Sequence, residues 1–495
     1  MKGQMKAVRR GLFIAVMVLV TAALPARAQY GGGSGTADNP YLIETAEQLN
    51  AIGLREADWN KHFRLTADID MNDLGETPVN LIFYFQGVFD GNNHTIANLI
   101  YRVKDEDGQP GSPYVSSIGL FRVIEGWDAL VQDLGLIDPN VRPDPTCTKR
   151  VSGVGALAGG LRQGWIRNCY VKGGYVGARS MVGGLVAQCS SDAAVSECWS
   201  TAEVSSDWDV GGLVGYVVRG SVWSCHAGGR VSGASRIGGL VGGASREGVI
   251  EDCFTTGTVT GSRAGGLVGD LEGSVARCYS TASVSGGSEL GGLVGYHFGL
   301  INTSWAGGQV TGGNTVGGLV GYTTVGDGIW IPYFDTHVTD SYATGTVRGD
   351  NTVGGLIGFN EGTLLRCYST GAVTTTGTVP ASDPKSSAGG LVGIDKSVSK
   401  WDILGCFWDM TTSGVSKSAG GTGLPTAAMQ DIATYLAAGW DFVGEAANGT
   451  ADLWRMSKEG PSYPKLAWEQ APTDKPPDPN AGHGQDRANI RLTHG

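Results

Sequence analysis

Apolar and glycine positions recur along the middle of the chain in a five-residue string. The string reads Gly-Gly-Leu-Val-Gly or a close variant, and short runs of alternating apolar and polar residues flank it. Its copies begin at Gly155, Gly183, Gly211, Gly238, Gly265, Gly291, Gly317, Gly354 and Gly389. Successive copies lie 26 to 28 residues apart, except for the last two spacings of 37 and 35. A fixed period of this size is typical of a repeat architecture.

Residues 210–233 form one repeat, in which three short extended runs alternate with glycine-containing turns. The period-two alternation of apolar and polar residues predicts strands. Val210 and Leu213 are three positions apart, so a bend at Gly211 and Gly212 is needed to turn both side chains inward. Three strands in one period make one coil of a parallel β-helix, whose coils pair about 4.8 Å apart. A propeller is excluded because its blades need about 40 residues each.

The sequence therefore predicts an all-β fold, a right-handed parallel β-helix of about ten coils with small capping regions. The repeat pattern occupies residues 76–405. An N-terminal cap is expected over 29–75, with a short helix starting near Thr45. A C-terminal cap is expected over 406–469, with one helix over 426–439. The proline-rich, polar composition of residues 470–495 predicts a disordered tail.

The first 28 residues have the composition of a secretory signal. Positive residues precede an apolar run over 11–24, and Ala26-Arg27-Ala28 offers a cleavage site. The run is shorter than the roughly 20 residues that span a bilayer. We therefore expect cleavage before Gln29, no transmembrane anchor in the mature chain, and a secreted, periplasmic or cell-surface protein.

The chain is acidic, with a formal net charge of −11 at pH 7, and removal of the signal's five positive charges moves this to −16. An acidic surface repels phosphate backbones, so nucleic acid is not expected as a partner. The sequence contains no zinc-protease, phosphate-loop or serine-hydrolase signature. No catalytic residue and no cofactor is therefore predicted.

The nine cysteines follow the repeat. Seven occupy one repeat position, namely Cys169, Cys198, Cys225, Cys253, Cys278, Cys367 and Cys406. Ser304 and Ser341 take this position in other copies, which indicates a small buried side chain rather than a disulfide. No metal site is predicted, because zinc ligands come in closely spaced cysteine pairs. Cys147 and Cys189 lie outside the column, and the sequence leaves their state open.

An aromatic residue follows the cysteine position in most repeats, and a small residue follows the aromatic one. The aromatic positions are Tyr170, Trp199, Phe254, Tyr279, Trp305, Tyr342, Tyr368 and Phe407, with His226 in one copy. Strand alternation favours small side chains inside and rings outside. An outward column of rings about 4.8 Å apart would offer stacking positions for the sugar rings of a polysaccharide. Alternatively, the rings only stabilise one another or line the interior.

The two long repeats carry insertions, within 323–337 and 374–387. The first contains Trp330 and Tyr333 beside carboxylates, a composition suited to ligand contact, although it would also suit a segment that merely folds over the coil. The predicted ligand-binding residues are Tyr170, Trp199, Phe254, Tyr279, Trp305, Trp330, Tyr333, Tyr342 and Tyr368.

The chain resembles the GLUG-motif proteins of bacteria, which are named for the Gly-Leu-apolar-Gly core that recurs here. The resemblance extends to FQGVFDGNNHTIANL (85–99) and GCFWDMTTSG (405–414), and it covers roughly residues 38–468. It implies a secreted or surface β-solenoid. Family members occur in adhesin-like proteins and beside the protease domain of immunoglobulin A-cleaving metallopeptidases. No protease domain accompanies the repeats here, so protease activity is not implied.

Two functional hypotheses follow. The first is a non-enzymatic scaffold with a binding, adhesion or structural role, whose partner is a polysaccharide or surface glycan. The second is a carbohydrate-active β-helix enzyme, either a polysaccharide lyase or a glycoside hydrolase. Such an enzyme needs carboxylates from adjacent coils within roughly 5–9 Å. Asp207, Asp209 and Glu289 precede glycine pairs, but no acidic column repeats between neighbouring copies.

Overall fold

The computed structural model describes residues 30–325, 336–377, 387–397, 402–457 and 460–469. The described chain winds through four β-sheets, and the strands of each sheet pair in parallel with those of neighbouring coils. A complete coil passes in order through sheets that we name I, II, III and IV. The predicted parallel β-helix is confirmed, although each coil has four sides rather than three. The predicted signal segment 1–28 and the predicted tail 470–495 lie outside the described residues.

Sheets I and II contain 13 strands each. Sheet I consists of Tyr41–Ile43, His62–Leu65, Val88–Asp90, Leu130–Gln132, Trp165–Arg167, Ala194–Ser196, Ser221–Trp223, Val249–Glu251, Ser274–Ala276, Leu300–Asn302, His337–Thr339, Thr363–Leu365 and Ile403–Leu404. Sheet II consists of Ile69–Asp70, Thr95–Ala97, Gly135–Ile137, Tyr170–Lys172, Trp199–Ser200, His226–Ala227, Phe254–Thr255, Tyr279–Ser280, Trp305–Ala306, Tyr342–Ala343, Tyr368–Ser369, Phe407–Asp409 and Thr422–Leu424.

Sheet III contains 17 strands, because most coils cross this side as two short strands, and sheet IV contains 11. Sheet III consists of Ile100–Val103, Tyr114–Ile118, Asn140–Pro143, Arg150–Gly155, Tyr175–Gly177, Ser180–Gly183, Glu203–Gly211, Arg230–Gly238, Thr258–Gly265, Ser283–Gly286, Leu290–Gly291, Val310–Gly312, Val316–Gly317, Val347–Gly349, Thr352–Gly354, Val373–Thr375 and Ser387–Gly389. Sheet IV consists of Ile82–Phe85, Phe121–Glu125, Ala158–Arg162, Val186–Ser190, Val214–Val218, Val241–Ala244, Val268–Leu271, Val294–His297, Val320–Thr323, Ile357–Asn360 and Val392–Asp395.

The described helices are short. They are Ala46–Ile52, Met410–Ser413, Thr426–Met429 and Ile432–Leu436, with 3-10 turns at Glu56–Asp58, Met71–Leu74 and Asp105–Asp107. Thr45 caps the first helix, as predicted, and its hydroxyl accepts a bond from the Gln48 amide. The single helix predicted over 426–439 is instead two helices. Asp431 separates them because its carboxylate accepts from the Ala433 amide at 2.9 Å and starts a new helix.

Parallel stacking extends beyond residues 76–405 at both ends. Tyr41–Ile43 and His62–Leu65 already pair within sheet I, inside the segment expected to be only a cap. Thr422–Leu424 adds a further strand to sheet II. An antiparallel pair, Trp454–Arg455 with Lys465–Leu466, belongs to the C-terminal region. Both terminal regions therefore contribute strands as well as covering the ends.

The repeated glycine string forms the corner between sheets III and IV. Val210 and Leu213 are both fully buried, as the predicted bend requires. A Cβ atom on Gly211 would lie 1.9 Å from the Val214 carbonyl oxygen within the same coil. Glycine is required at this corner because backbone segments approach too closely for any side chain.

The corner between sheets I and II carries the cysteine column. The residue before the cysteine position has a positive φ in successive coils, as at Asn168 and Glu197. The next residue turns inward, and the Cys169 amide donates to the Cys198 sulfur at 3.3 Å. All nine cysteines are free thiols, and all except Cys147 are buried. The predicted column of small buried thiols is confirmed.

Candidate functional site

The rings that follow the cysteine column stack continuously on the outside of sheet II. Neighbouring rings are nearly parallel, with interplanar angles of 3–12° and centroid separations of 4.5–5.9 Å. We call this column the aromatic ladder, and its members are Tyr170, Trp199, His226, Phe254, Tyr279, Trp305, Tyr342 and Tyr368. The small residues that follow the rings, including Ser200 and Ala227, are buried. Small residues inside and rings outside is the arrangement predicted from strand alternation.

Ring stacking determines what the ladder presents to solvent. Trp199, for example, lies 4.5 Å from Tyr170 on one side and 5.9 Å from His226 on the other. Each inner ring is therefore covered on both faces and exposes mainly its edge. A sugar ring needs a free aromatic face to stack on, so the ladder does not supply the platform expected from the sequence. Each stacked pair instead stabilises the fold by about 0.5–1.5 kcal/mol.

The C-terminal region covers one end of the ladder. Tyr342 and Tyr368 are fully buried beneath a cluster that contains Trp440, Trp454 and Tyr435. These two predicted ligand contacts are thus out of reach of a ligand. The remaining five predicted ladder contacts, Tyr170, Trp199, Phe254, Tyr279 and Trp305, are half-buried. The other two predicted contacts, Trp330 and Tyr333, lie outside the described residues.

Residues 463–469 run along the outside of the ladder, and we call them the C-terminal strap. The Tyr368 hydroxyl donates to the Pro464 carbonyl oxygen at 2.6 Å. The Tyr342 hydroxyl donates to the Glu469 carboxylate at 2.9 Å. Burial raises the pKa of Glu469, although Lys465 opposes this effect. These bonds satisfy hydroxyl groups that would otherwise be buried without partners.

The strap then continues toward the middle of the ladder. The Lys465 ammonium nitrogen lies 4.8 Å from the centroid of Tyr342 and 5.5 Å from that of Trp305. The Trp468 indole donates to the Thr303 carbonyl oxygen at 2.9 Å. The Trp468 ring centroid lies 6.3 Å from that of Tyr279. The strap therefore follows four rungs, from Tyr368 to Tyr279.

A shorter ring stack lies on sheet IV and was not predicted. Tyr322 lies 5.3 Å from Tyr296 and 4.6 Å from Phe359 between ring centroids. In the sequence, this stack is marked by an aromatic residue directly after Val-Gly or Ile-Gly in successive glycine strings. The Arg263 guanidinium lies 4.3 Å from the Tyr296 centroid.

Acidic side chains beside this second stack are paired with arginine. Arg236 binds Asp209 at 2.8 Å, and Arg263 binds Glu289 at 2.6 Å. Asp270 lies 3.7 Å from Arg263, and burial raises the pKa of Asp270 to about 6 despite the nearby guanidinium groups. Two of the carboxylates considered from the sequence, Asp209 and Glu289, therefore take part in ion pairs.

Two exposed tryptophans lie at the corner between sheets IV and I. Trp127 is 61% exposed and Trp165 is 44% exposed. They belong to consecutive coils whose turns pack together, because a Cβ on Gly164 would lie 2.9 Å from the Ala129 carbonyl oxygen. Among the described residues, no other ring stacks on either indole. Both indoles therefore expose a large part of their surface to solvent.

Polar side chains lie beside Trp165 on sheet I, because Arg167 is two positions further along the same strand and faces the same way. Arg167 donates to the Gln132 amide oxygen at 2.8 Å. Leu130 pairs in register with Trp165, and Gln132, two positions later, pairs in register with Arg167. We call the surface formed by Trp127, Trp165, Gln132 and Arg167 the tryptophan patch. Sequence reasoning missed it because Trp127 lies in a turn outside the glycine-string repeats. The only sequence signal was Trp165 at an outward strand position.

A cavity of about 220 Å³ lies near the N-terminal helix, lined by Leu54, Phe83, Tyr101, Asp107 and Arg122 among others. Arg122 lies 4.6 Å from the Phe83 centroid and donates to three backbone carbonyl groups. The Arg122 guanidinium is therefore already hydrogen-bonded within the protein.

In the described ranges, no three His, Cys, Asp or Glu side chains are arranged to hold a metal ion. No described helix is long and apolar enough to cross a membrane.

These features define a repeat scaffold built on a parallel β-helix. The family described as "The GLUG motif" matches residues 233–260 and 312–348, which lie within the repeats. The chain thus carries the GLUG motif in two regions of its repeats.

Two curated proteins are similar to about a third of the chain. Halomucin from Haloquadratum walsbyi is 31% identical over 174 residues, which is 33% of this chain and 2% of Halomucin. A "Putative Gly-rich membrane protein" from Evansella cellulosilytica is 31% identical over 173 residues, which is 32% of this chain and 18% of that protein. The chain therefore matches only a small part of either relative.

Two solved structures show a distant likeness. A putative immunoglobulin A1 protease from Bacteroides ovatus gives a TM-score of 0.36 at 17% identity, covering 89% of this chain and 96% of that chain. A structure titled "IgA1 Protease" gives 0.28 at 13% identity, covering 89% of this chain and 26% of that chain. Similarity at this level carries no information on activity.

Proposed function

We propose that the protein is an extracellular or cell-surface scaffold that binds polysaccharide through the tryptophan patch. The observation that carries this proposal is the exposure of two indoles, Trp127 and Trp165, on consecutive coils. Indole rings bury apolar area at low entropic cost, which suits the C–H faces of sugar rings. Gln132 and Arg167 supply amide and guanidinium groups for sugar hydroxyls.

An extracellular location is supported by the sequence of the first 28 residues, which has the composition of a secretory signal. Part of the chain is similar to Halomucin and to a "Putative Gly-rich membrane protein", and both names agree with such a location. The acidic net charge of −11 favours neutral or basic glycans over polyanionic ones.

Purified protein on an immobilised polysaccharide array tests the proposal. The variants Trp127→Ala and Trp165→Ala are each expected to weaken binding at least about tenfold, which corresponds to ~1.4 kcal/mol. The matched control is Trp208→Ala, because Trp208 is similarly exposed at 48% but lies on sheet III. Unchanged binding in both patch variants, or an equal loss in the control, would overturn the proposal.

One observation favours a second candidate, a carbohydrate-active enzyme. Asp270 is mostly buried with a pKa of about 6, which is the range a general acid needs near neutral pH. Analysis of products from each bound polysaccharide separates the two functions. Release of new chain ends that stops in Asp270→Asn would assign an enzyme, whereas binding without products supports the scaffold.

A further inference from the structure

The uncovered end of the aromatic ladder is a second surface, separate from the tryptophan patch. Its rungs are Tyr170, Trp199, His226 and Phe254, and we call them the open rungs. They lie in the same register column as the rungs beneath the C-terminal strap. All four are half-buried, and each ring is stacked on a neighbour. The surface is therefore a row of ring edges that continues an interface already occupied inside the molecule.

The strap shows which groups this row of ring edges accepts. A tyrosine hydroxyl, that of Tyr368, donates to the carbonyl oxygen of a proline, Pro464. A lysine ammonium, that of Lys465, lies over two ring centroids. The contacts thus use backbone carbonyl groups, a cation and apolar side chains, which are the groups of an extended peptide.

The open rungs offer the same chemistry to a second segment. Tyr170 and Trp199 carry an O–H and an N–H at their ring edges. Glu197 is exposed two positions before Trp199. Burial raises the pKa of Tyr170, and the Asp68 carboxylate adds a smaller effect in the same direction. The Glu197 carboxylate complements a basic side chain such as that of Lys465.

We propose that the open rungs bind an extended peptide segment of a protein partner that contains proline and a basic residue. The segment would lie along the ladder as a continuation of the strap. Its carbonyl groups would accept bonds from the ring-edge donors, and its basic side chain would lie near Glu197. Preformed extended proline segments lose little conformational entropy when they dock on aromatic surfaces, which favours this occupant.

The probe is a fluorescein-labelled peptide, PSYPKLAWE (461–469), which contains the strap and the two residues before it. The internal strap occupies the covered rungs, so added peptide reports on the open ones. Fluorescence anisotropy with the full chain is expected to show saturable binding. The peptide PSYPELAWE, in which the lysine is replaced, is expected to bind at least about tenfold more weakly.

Two variants test where the peptide binds. Trp199→Ala removes one ring edge, and Glu197→Lys reverses a charge without touching the ring stack. Each is expected to weaken binding at least about fivefold, whereas Trp208→Ala on sheet III is expected to leave it unchanged. Circular dichroism verifies that Glu197→Lys is folded, so the proposal does not depend on the ladder variant alone. Equal binding by the parent and both variants would overturn it.

Other occupants of the open rungs give different results. Peptide that binds only after the chain is shortened to end at Glu469 would show that residues 470–495 occupy the rungs, which contradicts an external partner. Self-association that the peptide reverses would assign the surface to a second copy. A polysaccharide that displaces the peptide would assign it to glycan. Failure of the tryptophan-patch variants on the array leaves the peptide result unaffected, because the two surfaces share no residue.

Discussion

The Trp454 indole donates to the Asp340 carboxylate at 3.1 Å, and this bond joins residues 114 positions apart. The same carboxylate accepts two bonds from Arg366, at 2.7 and 2.6 Å. Trp454 is fully buried and Asp340 is 2% exposed. One side chain in the corner between sheets I and II therefore fixes both the next coil and the C-terminal region that covers the ladder.

Replacing Asp340 is expected to loosen the C-terminal region. Asp340→Ala leaves the Trp454 N–H and the Arg366 guanidinium without their acceptor, at a cost of about 2–3 kcal/mol in the free energy of unfolding. Urea unfolding measures this loss, and hydrogen exchange is expected to show it first in residues 440–469. The control is Arg64→Ala, which breaks a more exposed ion pair with Asp90 and is expected to cost less than about 1 kcal/mol. Equal losses in the two variants would contradict this role of Asp340.

The thiol column is expected to be unreactive in the folded protein. Burial raises the pKa of the column thiols Cys169 and Cys278 well above the usual value, and it raises that of the separate buried Cys189 to about 12. Thiolate is the reactive form, so a thiol reagent such as Ellman's reagent should modify only Cys147 before unfolding. All nine cysteines should react in denaturant without reductant. More than one fast-reacting thiol in the folded chain would show that the column is accessible.

Thr315 lies in the left-handed region with φ of 56°, which is strained for a β-branched residue. Thr315→Gly is expected to raise the free energy of unfolding by about 0.5–1 kcal/mol, after allowing for the flexibility of glycine in the unfolded chain. The matched control is Thr311→Gly, in the extended strand Val310–Gly312 of the same coil. The control should destabilise by about 1 kcal/mol. Destabilisation by both substitutions would show that Thr315 is not strained.

Asp270 should make stability depend on pH. Its pKa is raised from 3.8 to about 6, so the folded chain binds this proton more tightly than the unfolded chain. Its contribution to the free energy of unfolding is therefore present below about pH 4 and lost as pH rises to about 6. The free energy of unfolding of Asp270→Asn should exceed that of the parent by about 3 kcal/mol at pH 7, and the difference should fall below about 1 kcal/mol near pH 4. A difference that is constant with pH would contradict the burial of this carboxyl group.

The repeat made the structure of a coil predictable from the sequence. The contacts between segments that are distant in the sequence could not be predicted in this way. The glycine string, the thiol column and the inward small residues all recur with the period, so one repeat describes the others. Nothing periodic indicates that residues 463–469 return to the ladder, because Tyr368 and Pro464 are 96 positions apart. The extra side of the coil was missed because non-glycine residues with positive φ, such as Asn168 and Glu197, turn the chain at the corner between sheets I and II.

The candidate site was predicted only in part for a related reason. Alternation showed that the rings point outward, but it carries no information on ring tilt. The parallel planes of Tyr170 and Trp199, 3° apart, close the faces that a sugar would use. Trp165 is not stacked on a ring because its register partners in the adjacent coils are Leu130 and Ala194.

Hydroxyl-radical footprinting with a bound polysaccharide shows directly whether the tryptophan patch is the binding surface. Oxidation is measured residue by residue by mass spectrometry, with and without a polysaccharide selected on the array. We predict strong protection of Trp127 and Trp165 and unchanged oxidation of Trp199 and Trp208. Protection of Trp199 with no change at Trp127 and Trp165 would contradict binding at the tryptophan patch and show that the polysaccharide binds the aromatic ladder.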